Sequence, residues 1–112
     1  MIPELPKPEE WLSHSRYVLG IMTGTSVDAV DMTLAKFFRL KSGKYLFSIV
    51  EHSSFEIPEH LRIFIQRAID NEARTSEIAY LNSALARYFA EATRIFLHKS
   101  KFPLNKLDAI GV

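Results

Sequence analysis

The residues Thr23-Gly24-Thr25-Ser26-Val27-Asp28, with Asp31 close behind, concentrate most of the chemical capacity of this chain. A phosphate-binding turn needs backbone N–H groups that an anion can approach, hydroxyl donors, and often a carboxylate that holds magnesium through water. Gly24 removes a Cβ at the point of approach, Thr23, Thr25 and Ser26 supply hydroxyls, and Asp28 and Asp31 supply carboxylates. The same residue types also build ordinary hairpin turns, and on composition alone that plainer reading wins. Neither GxxxxGK[ST] nor GxGxxG is present. His14, His52, His60 and His98 lack metal-ligand spacing and read as surface or capping residues. Glu56 and Glu59 flank Pro58 and read as helix-start charges rather than an acid/base pair.

The elements around this turn can be read from hydrophobic period. YVLGIM (17–22) is a short apolar strand leading into the turn, and AVDMTLAKFF (29–38) alternates Val30, Met32 and Leu34 against polar or small neighbours. A turn at Ser42-Gly43 precedes a third strand, KYLFSIVEHSSF (44–55), so the three predict an antiparallel meander. The period then changes. Pro58 suits a first helical turn, and Leu61, Phe64, Ile65, Ala68 and Ile69 make one apolar stripe that Asn71 can end. Thr75 or Ser76 can cap a longer helix with Glu77 in its first turn and the stripe Ile78, Leu81, Leu85, Tyr88, Phe89, Ala92, Ile95 and Phe96. Arg94, His98 and Lys99 suit the negative end of its dipole. The aromatic set Phe64, Tyr80, Tyr88, Phe89 and Phe96 reads as core, part of it facing the remainder of a larger protein. LDAIGV (107–112) begins another strand, and its abrupt stop predicts a chain truncated at its C-terminal end.

Composition bounds the function. The 112 residues are 47% hydrophobic and 24% charged, an ordinary globular mix of one domain or part of one. A net charge of +1 gives no basic excess to attract nucleic acid or an acidic membrane surface. The absence of cysteine excludes a disulfide framework, a thiolate nucleophile and a cysteine-based zinc site. The uncharged stretch Tyr17 to Val27 falls far short of the ~20 residues of a bilayer span. The first sixteen residues, with Pro3, Pro6, Pro8 and several acids, read as an extended arm pinned by Trp11 and Leu12, not a secretory signal. A cytoplasmic protein is the expectation.

GIMTGTSVDAVDMTLAKF resembles the opening segment of the anhydro-N-acetylmuramic acid kinase family, whose signature runs approximately G-x-M-S-G-T-S-x-D-G-x-D. Gly20, Met22, Gly24, Thr25, Ser26, Asp28 and Asp31 match it. LNSALARYFAEAT resembles the family's second-helix segment, and LDAIGV the strand before its H-G-Q-T motif. Thr23 stands where the pattern has serine. Ala29 stands where it has glycine, adding a Cβ where positive φ or close phosphate contact would be needed.

The resemblance, which covers Tyr17 to Val112, implies an α/β fold: a strand meander, two helices and a returning strand. Residues 1–16 would be the arm, and 17–112 the first part of an N-terminal actin-like (ribonuclease H-like) ATPase domain. It implies an ATP- and Mg2+-dependent kinase that converts 1,6-anhydro-N-acetylmuramic acid to N-acetylmuramic acid 6-phosphate in cell-wall recycling, with hydrolytic opening of the anhydro bridge. Gly24, Thr25, Ser26, Val27, Asp28, Ala29, Val30 and Asp31 would grip the ATP phosphates, with Asp28 holding magnesium through water and Asp31 ordering the hairpin base. The general base would lie beyond residue 112, so no catalytic residue falls in this chain and the chain alone would be inactive. An amino sugar is the implied partner, and a homodimer is compatible with the full-length protein. The alternative is a non-catalytic α/β interaction domain, in which TGTS is only a turn and the helix 76–99 is the contact face.

Overall fold

The computed structural model describes residues 4–24 and 26–112. Strands β1 (Arg16–Thr23), β2 (Ala29–Arg39) and β3 (Tyr45–Glu56) form the expected antiparallel meander. Cross-strand pairs stack Leu19 on Leu34 and Ile21 on Met32, and these side chains with Val30 form the buried face of the sheet. The turn between β2 and β3 closes with the Gly43 N–H donating to the Leu40 carbonyl, and Gly43 takes φ +91°, a region open to glycine. Between Leu34 and Ala35 the β2–β3 register shifts by one residue, a bulge at Val50.

Helices α2 (Glu59–Ile69) and α3 (Thr75–Lys99) then carry the chain back to β4 (Ala109–Gly111), which pairs parallel with β1. The sheet order is β3-β2-β1-β4. Ala92, Phe96 and Leu97 of α3, together with Leu61 of α2 and Ile57, cover the buried face, and Phe96 is only 1% exposed. A 3₁₀ turn, Leu104–Lys106, precedes β4. Asp108 then fixes the strand: its carboxylate accepts from the Tyr17 N–H at 2.8 Å and pairs with Arg16 at 3.3 Å.

The details depart from the sequence reading in four places. The arm is not wholly extended: Pro8–Trp11 is a helical turn, α1, favoured by proline at its start and by Glu9 and Glu10 near its positive end. Trp11 does tie it down, since Arg16 donates to the Trp11 carbonyl and lies over its ring. The N-cap of α3 is Arg74, not Thr75 or Ser76, and the Glu77 carboxylate accepts from the Arg74 N–H at 3.2 Å. Ile78 and Ile95 of the α3 stripe, and Ile69 of the α2 stripe, are exposed. Tyr80 is also 48% exposed, its ring 5.2 Å from that of Phe64, because the first half of α3 meets α2 rather than the sheet.

Candidate functional site

Antiparallel pairing on either side of β2 leaves β1, β3 and β4 pointing the same way, so their carboxyl ends lie at one end of the sheet. The turn from Gly24 to Asp28 is at that end. So is the start of α2, because the Ile57 N–H donates to the Asp28 carbonyl at 2.9 Å. The carboxyl ends of parallel strands are where open α/β sheets commonly bind ligands.

Within the turn, the Val27 N–H donates to the Gly24 carbonyl at 3.1 Å. Val27 takes φ +54°, costly for a β-branched residue, and its side chain packs at the margin of the core. The Ser26 hydroxyl donates to Asp28 Oδ1 at 2.7 Å. That bond, backbone N–H groups and the positive charge of Arg62 hold the exposed Asp28 carboxyl below its ordinary range, so it is ionised at neutral pH. A Cβ built on Gly24 meets nothing within 4 Å, so the fold itself does not require glycine there.

The expected site residues therefore separate into two groups. Gly24, Ser26, Val27 and Asp28 sit on the turn; Thr25 lies outside the described residues. Ala29, Val30 and Asp31 belong to β2. The Val30 side chain is fully buried, leaving only its backbone, which is already in the ladder with Thr23 and Phe55. Ala29 has no positive φ, so the expected conformational need for glycine at that position falls instead on Val27. Asp31 accepts a hydrogen bond from the Ser54 hydroxyl of β3, across the ladder rather than toward the turn. Thr23, exposed at the end of β1, adjoins Gly24.

Two hollows border the turn. One, about 360 Å3, is apolar and runs between Gly24 and Val27 and the stripe Ile65, Ile69, Leu81, Leu85 and Phe89. The other, about 320 Å3, lies between Ser26 and Val27 and the first half of α2, where Glu59, Arg62 and Gln66 line it. Arg62 is the residue that sequence reading missed. It belongs to no apolar stripe, and only the fold brings it to the turn. Among the described residues no cluster of three or more His, Asp or Glu could hold a metal.

A three-stranded meander and a helical return to a parallel fourth strand are the mixed α/β arrangement expected of the N-terminal part of an actin-like sugar kinase domain. The family model described as anhydro-N-acetylmuramic acid kinase matches residues 16–112, and the chain belongs to that family. It is 31% identical over 101 residues to the anhydro-N-acetylmuramic acid kinase of Shewanella denitrificans, covering 89% of this chain and 26% of the relative. The Haemophilus influenzae enzyme of that name is 31% identical across 86% of this chain and 24% of its own length. One from Legionella pneumophila is 32% identical across 83% of this chain and 24% of its own. The chain thus spans about a quarter of the length of these curated relatives. Among the described residues no helix is long and apolar enough to cross a membrane.

Proposed function

We propose that this chain supplies the phosphate-gripping turn of an ATP-dependent kinase that acts on 1,6-anhydro-N-acetylmuramic acid in the cytoplasm, within cell-wall recycling. The observation that carries the reading is the family match across residues 16–112, which includes the turn at the carboxyl ends of β1, β3 and β4. Gly24, with open space where a Cβ would stand, admits a phosphate to the backbone. Ser26 has one hydroxyl proton and gives it to Asp28, so the pair holds the turn in shape before substrate arrives. Asp28, ionised and exposed, would hold magnesium through water, while Ser26 turns its proton toward a phosphate oxygen. Magnesium, when bound, neutralises charge that builds on the transferring phosphoryl group. The abstraction of a proton from the attacking water is a task for residues outside this chain.

The test is ADP release from Mg-ATP and anhydro-N-acetylmuramic acid by the complete gene product, with the turn variants beside the parent. Asp28→Asn keeps shape and removes charge, and should lower Mg-ATP use about tenfold or more while circular dichroism stays unchanged. Turnover equal to the parent in Asp28→Asn would reduce the turn to a connector, and a parent without turnover would favour the interaction domain.

A further inference from the structure

We infer that Arg62, on the first half of α2, is a nucleotide-contacting residue that adds to the phosphate grip from the α2 side of the turn; the inference rests on the kinase reading above. The hollow that Arg62 lines has the turn residues Ser26 and Val27 as its other wall. The wall positions are fixed by the bond from the Ile57 N–H to the Asp28 carbonyl, and the Arg62 N–H itself donates to the Pro58 carbonyl in the first turn of α2. Arg62 is exposed, and among the described residues its guanidinium makes neither an ion pair within 4.0 Å nor a side-chain hydrogen bond, unlike Arg16, Arg67 and Arg94. Its five donors are thus free to take a phosphate in a planar, two-pronged contact.

The other charges at this place select the ligand. Asp28 and Glu59 bring two negative charges against the single positive charge of Arg62. A bare anion is repelled by that balance, whereas a magnesium-bound phosphate satisfies both signs at once. The hollow therefore fits a metal-loaded nucleotide better than free phosphate or a carboxylate ligand.

The experiment is calorimetric titration of the complete gene product with Mg-ADP, with ADP in EDTA, and with inorganic phosphate, for the parent, Arg62→Gln, Arg62→Lys and Glu59→Gln. Arg62→Gln should weaken Mg-ADP about 10- to 100-fold, and Arg62→Lys should recover part of that loss. The difference should shrink as salt rises, because this site is open to solvent. Glu59→Gln should narrow the preference for Mg-ADP over metal-free ADP. The melting temperature should hardly move in either arginine variant, since among the described residues the side chain makes no hydrogen bond or close ion pair. A parent that binds Mg-ADP together with an unchanged Arg62→Gln would overturn this assignment alone. A parent that binds no nucleotide would overturn the kinase reading, and this one with it. Equal weakening by Lys and Gln, accompanied by a fall in melting temperature, would make Arg62 a structural residue and also overturn the assignment.

Discussion

At the turn, three residues carry different loads. Val27 holds a positive φ that glycine would adopt freely, and its packing at the core margin compensates the strain. Gly24 carries no such conformational load, so its missing Cβ matters only when something approaches from outside. Gly24→Ala should therefore fold like the parent and still bind Mg-ATP several-fold more weakly, and Gly24→Val more weakly again; melting curves beside nucleotide titrations check both halves. Ser26 sets the charge state of its neighbour. Its hydroxyl is the largest influence lowering the Asp28 pKa from the ordinary 3.8, so Ser26→Ala should raise that pKa toward 3.8, read by carboxyl NMR titration. The sign follows from linkage: a lowered carboxyl pKa stabilises the folded turn above pH 3.8, and that contribution fades as pH falls through the folded value. The residue types of this turn were legible in the sequence because glycine, hydroxyls and carboxylates seldom crowd together without a reason of shape or chemistry. The load at Val27 was not, since nothing in a valine announces a left-handed backbone. Nor was Arg62, whose place at the turn is created by the β3–α2 corner.

Among the elements, the strands were legible because alternation is a local signal, and Leu19, Val30, Met32 and Leu34 are buried as that signal requires. The helical stripes were legible only in part. A stripe states which face is apolar, not how far the covering surface extends, and α3 outruns the sheet at Ile78 and Tyr80. What holds that outer half is the corner between helices. Arg67 of α2 reaches Glu77 of α3 at 3.1 Å, and Glu77 also accepts from the Arg74 N–H. Asn71 sits at φ +58° with the Glu72 N–H donating to the Arg67 carbonyl, the closed helix end that its position suggested. The Arg67 guanidinium is the main cause lowering the Glu77 pKa below 4.5. Stability from this corner should be complete above pH 4.5 and lost as pH falls through the lower folded value, so Glu77→Gln should flatten the melting temperature profile between about pH 3 and 5. At the far end of α3, Lys101 takes φ +54° in the same helix-ending pattern, with the Phe102 N–H donating to the Leu97 carbonyl. Lys101→Gly should stabilise the fold by about 0.5–1 kcal/mol, seen as a melting temperature a few degrees higher.

For the molecule as a whole, the sheet has two different open edges. β4 pairs with β1 through only three residues, and its other side has no strand beside it among the described residues. β3 is the opposite edge, twelve residues long, and its outer half exposes Phe47, Ile49 and Val50, with Phe47 62% exposed. A long apolar edge is a template for pairing with another chain, and the bulge at Val50 interrupts this one at a single place. The 112-residue chain studied alone should therefore associate as its concentration rises, a property that charge and composition do not disclose. Sedimentation equilibrium across a hundredfold range of concentration measures it. Ile49→Lys places a charge on the exposed half of β3 at a position where a surface substitution costs the fold about 0.5 kcal/mol or less, and should shift the chain toward monomer. If Ile49→Lys leaves the association unchanged, the contact runs through β4 and the exposed Ile110 instead, and Ile110→Lys becomes the variant that dissociates it. A parent that stays monomeric throughout, with a melting temperature independent of concentration, would mean that neither edge is free to pair.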